Sequence, residues 1–264
     1  MGHECGSTCK RKTGERCDTC RVGGGGKRRA FIHATPQQMG AAVDMYLDGL
    51  SYRRIADNIE DYFDRETDAT SVYRWTRQLS ERAQERLSES PIPTGDVWVA
   101  DELVVKVGGK QYWLFNVMDS DSRAVLSAYL SPVRTTRAAA TAMRMARERA
   151  DKPPKVIKTD GLRSYRNGVK HVFAIDGVRH VVSEGIRADI NNNLSERLQG
   201  TFRDRDKTLR GLKSMETGQA YINGLIVNYN YFRPHGGLDG KTPAEKAGAD
   251  RPFKSWRDVA ETLR

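Results

Sequence analysis

Three acidic residues of this chain have the types and the spacing that a magnesium-dependent site needs. Asp101 closes the apolar run 97–100, Asp160 closes the run 156–159, and Glu196 follows three consecutive asparagines. Magnesium prefers oxygen ligands, and carboxylates at the ends of two strands and in one helix can converge on one point. The spacing alone leaves a second interpretation open, because with 34 Asp and Glu in the chain some triplet of ordinary solvated acids will fit a loose pattern.

The first of these acids has an acidic neighbour, Glu102, so one member of the pair has to be chosen. Side chains alternate between the two faces of a strand. We therefore expect only one of Asp101 and Glu102 to point towards the site. If Asp101 were misassigned, Glu102 would be the first replacement to consider.

The elements that would position these acids form a recognisable order. A glycine pair at 108–109 between two apolar runs predicts a hairpin, and a proline pair at 153–154 ends an alanine-rich helix. The predicted elements are strands 97–107, 112–119 and 124–130, a helix at 134–150 and a strand at 155–160. An antiparallel meander followed by a helix and a parallel strand is the order of the ribonuclease H-like fold. The sequence therefore predicts an α/β protein with a mixed sheet flanked by helices.

Residues before the first strand have a helical pattern. Pro36 suits a first helical position, Ser51 suits the cap of a second helix, and Thr70 or Ser71 suits the cap of a third. This order resembles a helix–turn–helix, in which the third helix would contact DNA. Candidate DNA contacts on that helix are Arg74, Arg77 and Gln78. A structural or dimerisation bundle of three helices stays open as the alternative, because the stretch between Asp57 and Asp68 is acidic.

All four cysteines lie in the first twenty residues, in two short pairs. In a reducing compartment such pairs favour metal binding over disulfides, and Zn²⁺ takes four tetrahedral ligands. The predicted zinc ligands are Cys5, Cys9, Cys17 and Cys20. Seven residues between the pairs is a short gap for a zinc ribbon, so free thiols on a disordered arm remain the alternative. A glycine-rich basic stretch follows and predicts a flexible linker.

Charge and hydropathy narrow the class of protein. The net charge is +10 and the sequence pI is near 9.5, which favours a polyanionic partner. Most of the excess lies in residues 91–264, with 29 Lys and Arg against 20 Asp and Glu. A solvated basic face on an ordinary enzyme is the alternative interpretation. With neither a long apolar run nor a leader pattern, we expect an intracellular protein that does not span a membrane.

Four separated motifs carry a resemblance to a known family. They are Val-Ala-Asp-Glu-Leu-Val-Val-Lys-Val-Gly-Gly-Lys from 99, Thr-Asp-Gly from 159, Asn-Asn-Asn-Leu-Ser-Glu-Arg from 191, and Tyr-Asn-Tyr-Phe-Arg-Pro-His-Gly-Gly-Leu from 229. In this order, over roughly residues 35–250, they resemble the DDE transposases of prokaryotic insertion sequences and the retroviral-type integrases. On that resemblance Asp101 is chosen over Glu102. The family often has Thr where this chain has Leu103, which leaves the subfamily open.

The resemblance implies a function and a set of partners. Asp101, Asp160 and Glu196 would be catalytic and would hold two Mg²⁺ ions, for which Mn²⁺ can substitute. Arg203 lies seven residues beyond Glu196, about two helical turns, where related enzymes carry a basic residue for a DNA phosphate; a merely solvated helix is the alternative. The partners implied are double-stranded DNA, both element ends and target, and a homodimer or larger assembly. The expected location is the cytoplasm of a prokaryote, in association with the nucleoid.

Two other functions stay open beside a transposase. One is a structure- or RNA-directed nuclease of the same fold, and the other is a domesticated DNA-binding regulator whose catalytic domain is vestigial. His235 could add a metal ligand, although a structural hydrogen bond is the simpler interpretation for its turn. The expected divisions of the chain are 1–29 for the cysteine module and linker, 30–90 for the helix–turn–helix, 94–250 for the catalytic domain, and 251–264 for a C-terminal tail.

Overall fold

The mixed sheet begins with an antiparallel meander. The structure, a computed structural model, describes residues 34–182, 193–205 and 212–263, without the side chains of 193–196. Strands β1 (Val97–Val107) and β2 (Lys110–Asp119) are joined by Gly108 and Gly109. Both glycines have positive φ, 56° and 78°, as a two-residue hairpin turn of right-handed twist requires. Strand β3 (Val125–Ser131) then pairs antiparallel with β2. The predicted hairpin and meander are confirmed.

The second half of the sheet is parallel to β1. Helix α4 (Thr136–Arg149) crosses over from β3 to β4 (Val156–Thr159), and helix α5 (Arg163–Val172) leads on to β5 (Arg179–Val182). The order of the five strands is β3-β2-β1-β4-β5. The meander, the crossover helix and the parallel β4 are the ribonuclease H-like order that the sequence predicted, and β5 is a strand that it did not predict.

Alternation along β1 separates two hydrophobic cores. Trp98 and Ala100 belong to the core that α4 and α5 cover, whereas Leu103 and Val105 belong to the core on the opposite face. Period-two alternation of a strand that is buried on both faces produces this division. Asp101 and Glu102 therefore lie on opposite faces of the same strand.

Three helices precede the sheet: α1 (Pro36–Leu47), α2 (Tyr52–Phe63) and α3 (Ala69–Ser88). The Ser51 side chain caps α2 by accepting from the Arg54 backbone N–H, as predicted. The cap of α3 is Asp68, whose carboxylate accepts from the Ser71 N–H at 2.6 Å, so the prediction of Thr70 or Ser71 is wrong. Both kinds of side chain satisfy a first-turn N–H, and the pattern placed the start of the helix two or three residues late.

Short helices after residue 227 complete the hydrophobic core on the face of β1 that contains Leu103. They follow α6 (Asn193–Asp204) and α7 (Met215–Val227): a π-helical turn Asn228–Phe232, a 3-10 turn Gly236–Leu238, α8 (Pro243–Ala247) and α9 (Trp256–Glu261). Helix α9 packs on α1, where a Cβ at Gly40 would lie only 2.7 Å from the backbone nitrogen of Arg257. Residues 251–264, expected as a tail, thus include a helix whose Trp256 is fully buried.

The three N-terminal helices share a core with the sheet. Val43, Ile55 and Leu79 lie in the same hydrophobic cluster as Leu103 and Val105. Residues 36–264 accordingly form one compact unit, and the expected division near residue 91 falls inside it. None of the helices in the described ranges combines the length and the apolar character that a membrane span requires. Cys5, Cys9, Cys17 and Cys20 lie outside the described residues.

Candidate active site

The parallel pairing of β1 with β4 brings two of the three predicted acids together. The register pairs Val97 with Val156 and Val99 with Lys158. Extending it by two residues puts Asp160 beside Asp101. Carboxylate oxygens of Asp101, Glu102 and Asp160 all lie within 4.8 Å of one another. We call these three carboxylates the acidic edge.

A glycine turn orients Asp160 at the end of β4. Gly161 has a φ of 91°, and a Cβ there would approach the Val182 side chain to 2.7 Å, so the turn requires glycine. The Asp160 carboxylate accepts from the Leu162 backbone N–H at 3.1 Å, which fixes one of its oxygens. Its side chain remains 36% exposed and therefore accessible to a hydrated ion.

Asp101 faces helix α6 and is held from two sides. Its carboxylate accepts from the Gln199 side-chain amide at 2.6 Å and from the Glu102 backbone N–H at 2.8 Å. Burial, reinforced by the negative charges of Glu102 and Asp160, raises the pKa of Asp101 to about 6 despite these hydrogen bonds. A divalent cation would offset both the burial and the repulsion.

Glu102 reaches the same edge from the opposite face of β1. The expectation that only one acid of the pair could approach the site is wrong. An oxygen of the longer Glu102 side chain lies within 4.8 Å of carboxylate oxygens of Asp101 and Asp160. The side chain is only 2% exposed and lies beside Tyr165. Burial and the Glu102 charge raise the pKa of Tyr165 well above its ordinary value, so its hydroxyl stays neutral.

Arg134 is a functional candidate that the sequence analysis missed. Its guanidinium hydrogen-bonds to the Glu102 carboxylate, lies 4.0 Å from an oxygen of Asp160, and stacks over the Trp113 ring at 4.7 Å. A signal was present in the strand directions. Strands β3 and β4 both run parallel to β1. The connection after β3 therefore leaves the sheet at the same end as β4, which is the end that carries Asp160. A basic residue in that connection could have been recognised as a candidate for the site.

Helix α6 carries the third predicted acid past the acidic edge. The helix packs on β1 through buried Leu198 and Phe202, and Gln199 donates to Asp101. Arg203 in turn donates to the Gln199 side-chain oxygen at 3.2 Å. Glu196 belongs to α6, one turn before Gln199, but its side chain lies outside what the structure describes. Gln199 was also missed, because an amide carries no charge signal in a sequence.

The remaining predicted site residues lie elsewhere in the unit. Arg74 and Arg77 are exposed on α3, and Arg77 forms an ion pair with Glu81 at 3.1 Å. His235 hydrogen-bonds through a ring nitrogen to the Tyr229 carbonyl at 3.1 Å and packs edge-on against the Tyr229 ring. This contact agrees with the simpler interpretation of His235, in which the side chain makes a structural hydrogen bond.

A mixed sheet of this order with an acidic edge fits the class of metal-dependent polynucleotidyl transferases. Within that class, residues 95–235 match the IS240 transposase family, DDE_Tnp_IS240, described as a DDE domain. The match covers more than half of the chain, so the chain belongs to this family. It is a DDE-type transposase.

Solved structures with similarity to the chain include retroviral integrase cores. The HTLV-2 integrase catalytic core domain in complex with magnesium is 21% identical in its dimeric form, with a TM-score of 0.45, and covers 58% of this chain and 94% of its own. The trimeric form is 19% identical with a TM-score of 0.48, covering 60% and 99%. The catalytic core domain of BIV integrase is 18% identical with a TM-score of 0.41, covering 58% and 93%. None of the curated proteins matches this chain.

The family implies a divalent metal ion, and the acidic edge has the donors to hold one. Oxygen ligands from several carboxylates suit Mg²⁺, which also keeps several waters. Asp101 and Asp160 offer such oxygens at adjacent positions of two paired strands. The two negative charges repel each other and contribute to the raised pKa of Asp101. A bound cation would offset this repulsion.

Proposed function

We propose that this transposase nicks the ends of its element and joins the resulting 3′-hydroxyls to target DNA with two Mg²⁺ ions. The observation that carries the proposal is the convergence of Asp101 and Asp160 at the acidic edge, beside the helix that contains Glu196. When bound, two such ions activate a water or a 3′-hydroxyl and stabilise the leaving oxygen of a phosphodiester.

Each residue of the site has a definite task in this reaction. Asp101 and Asp160 hold the ions from the sheet, and Glu196 completes the ligands from α6. Gln199 fixes the orientation of Asp101 through its 2.6 Å hydrogen bond. Arg203, anchored on Gln199, extends a cation towards the phosphate of the DNA strand. Because the nucleophile is a water or a DNA hydroxyl, no covalent link to the protein forms.

DNA ends are recognised in this proposal by the three N-terminal helices, with α3 as the helix that contacts the duplex. Arg74 and Arg77 support the assignment because both are exposed on one surface of α3. The DNA partners are the element ends and the target, and the synapsis of two ends calls for a dimer or larger assembly.

The experiment uses purified full-length protein, Mg²⁺ and a labelled duplex that carries the terminal repeat. We expect both nicking of the end and joining to a second DNA. Asp160→Asn should abolish both reactions, by roughly 10³-fold or more, because a charged metal ligand is lost while the binding helices remain. The matched control is Asp96→Asn, an exposed acid at the foot of β1 that is paired with Lys152 and Lys155 and should leave both reactions unchanged.

Three outcomes would contradict the proposal. Nicking without joining, with the correct ends supplied, would identify a nuclease of the same fold. Specific binding with neither reaction would identify a regulator. Equal activity of Asp160→Asn and the parent protein would remove the acidic edge from the chemistry.

A structural zinc ion in the N-terminal cysteine pairs stays a prediction of the sequence. Metal analysis of the purified protein tests it, with one equivalent expected from Cys5, Cys9, Cys17 and Cys20. A content below about half an equivalent that Cys17→Ser leaves unchanged would favour free thiols.

A further inference from the structure

One face of the sheet is open beyond the acidic edge. The β1 residues on the Glu102 face are buried up to Glu102, but Val104 is 46% exposed and Lys106 is exposed. The register places Trp113 of β2 opposite Val104 and Gln111 opposite Lys106. Helices α4 and α5 cover this face nearer the start of β1. We call the uncovered part, residues Val104, Lys106, Gln111 and Trp113, the open strip.

Arg134 lies on the open strip at its boundary with the acidic edge, and three contacts fix its position. The Trp113 ring supports the guanidinium from below, Glu102 accepts its hydrogen bond, and Asp160 lies 4.0 Å away. Nη2 of Arg134 makes both carboxylate contacts. Nη1 and Nε donate no hydrogen bond to any of the described residues. The side chain is 38% exposed. A guanidinium has five N–H donors, so several can face a ligand.

The partner of Arg134 is better suited to holding it than to binding an ion. The Glu102 side chain is 2% exposed, one of its oxygens is bonded to Arg134, and its carboxylate lies beside the buried Tyr165 hydroxyl. Asp101 and Glu102 are about equally buried, with 7% and 8% of each whole residue exposed, so exposure does not distinguish them; Glu102 differs because its carboxylate is already paired with the Arg134 cation. A buried ion pair adds little net stability compared with apolar side chains of the same volume. The ion pair therefore serves mainly to position Arg134 and contributes little to the stability of the fold.

The chemistry of the exposed part fits one kind of ligand. Arg134 and Lys106 are the charged side chains exposed here, and both are cations. A guanidinium with a fixed position and free donors suits the oxygens of a phosphate, which it can bind with two parallel hydrogen bonds. Under the proposed function the scissile phosphodiester lies at the acidic edge, and Arg134, only 4.0 Å from Asp160, is the exposed cation beside it that a neighbouring phosphate of the same DNA strand would meet.

We propose that Arg134 binds a non-bridging oxygen of a DNA phosphate next to the scissile phosphodiester, and that Glu102 and Trp113 are positioning residues for it. In this assignment Glu102 is not a metal ligand, although its carboxylate lies in the acidic edge. The inference rests on the proposed function for the identity of the ligand, DNA.

The first test measures binding of the full-length protein to the terminal-repeat duplex in EDTA, so that no chemistry occurs, over a range of salt concentrations. Arg134→Gln should weaken binding roughly tenfold. It should also reduce the slope of log affinity against log salt by about 0.9, the value for one phosphate contact in B-DNA. Arg144→Gln, an exposed arginine on α4, is the matched control and should change the slope much less. An unchanged slope in Arg134→Gln would overturn the proposal.

A conservative variant separates positioning from charge. Arg134→Lys keeps the cation but loses the planar fork and its stacking on Trp113. We expect the salt slope of the parent protein to return in this variant. In the Mg²⁺-dependent joining reaction it should need several times more DNA for half-maximal rate, with little change in the maximal rate. Identical behaviour of Arg134→Lys and Arg134→Gln in both measurements would mean that the side chain only supports the fold.

The second test decides the role of Glu102 by Mn²⁺ binding in the absence of DNA, measured by titration calorimetry. Glu102→Gln should retain Mn²⁺ affinity within about threefold of the parent, since in this assignment it contributes no ligand oxygen, whereas Asp160→Asn should lose most of it. Equal losses in the two variants would make Glu102 a metal ligand and refute the proposal. Because the salt dependence of DNA binding and the Mn²⁺ titration do not require strand joining, failure of this inference is distinguishable from failure of the proposed function.

Discussion

The acidic edge and the outer surface of α3 both present arginines, but they hold them differently. Arg134 is fixed by a buried carboxylate and an indole ring, whereas Arg77 forms an ion pair with Glu81 in which both side chains are more than half exposed. An exposed pair in water is worth little and rearranges easily. A charge held by buried contacts needs no reorganisation when a ligand arrives. On the proposed function, the difference corresponds to fixed geometry at the reacting phosphate and adaptable contacts on the helix proposed to bind the duplex.

The largest effect outside the carboxylates themselves is expected at Gln199, which fixes Asp101 and anchors Arg203. Gln199→Ala removes the 2.6 Å hydrogen bond and should weaken Mn²⁺ binding or joining by roughly 10-fold to 100-fold, as is usual for a residue that orients a metal ligand. Calorimetric titration with Mn²⁺ checks it. Thr201→Ala on the same helix is the control, and Gln199→Ala with parental affinity would show that the edge is less rigid than the comparison implies.

The pH dependence of stability tests the same rigidity without DNA. The pKa of Asp101 is about 6 in the folded protein, above its ordinary value of 3.8. The folded state therefore holds the proton more tightly, so this contribution to stability is complete below about pH 4 and lost as the pH rises through about 6. In EDTA we expect a loss on the order of 1–2 kcal/mol from this group.

Magnesium should reverse that loss, because it binds the ionised carboxylate. The rise in thermal midpoint on adding Mg²⁺ should be small near about pH 5 and grow towards about pH 8. Thermal unfolding of the parent protein and Asp101→Asn, with EDTA and with Mg²⁺, measures both effects. A Mg²⁺-induced rise that is equal at both pH values, or equal in Asp101→Asn, would contradict the assignment.

The features that could be predicted from the sequence depend on interactions between residues near each other in the chain, and the features that were missed depend on residues far apart in it. Strand alternation and the Gly108-Gly109 turn are local, so β1, its hairpin and the order of the meander were predictable. The meeting of Asp101 with Asp160 required only the parallel pairing of β1 and β4. Arg134 was missed because its significance comes from Glu102 and Trp113, which are distant in sequence and meet it only in the folded protein.

The same physical reason explains the C-terminal segment. Trp256, Val259 and Ala260 have helical spacing, but a six-residue helix is too short to stand out in a sequence. It forms because α1 offers it a surface, with close approach at Gly40. The shared core of the N-terminal helices and the sheet was likewise not predictable, because Pro91 and Pro93 resemble a domain boundary whether or not the flanking elements pack together.

The smallest expected effect is the coupling between the exposed side chains of Arg77 and Glu81 on α3. Measuring it beside the coupling between Arg134 and Glu102 compares the two arginines directly. A double-mutant cycle on Arg77 and Glu81 should give a coupling of about 0.3–0.5 kcal/mol in the free energy of unfolding, as for other exposed helical pairs. The cycle on Arg134 and Glu102 should give roughly 1–3 kcal/mol, because its carboxylate is buried. Denaturant unfolding of the two single variants and the double variant in each pair measures both values. Equal couplings would mean that Arg134 is as mobile as Arg77, and a fixed phosphate contact at the acidic edge would then lose its structural basis.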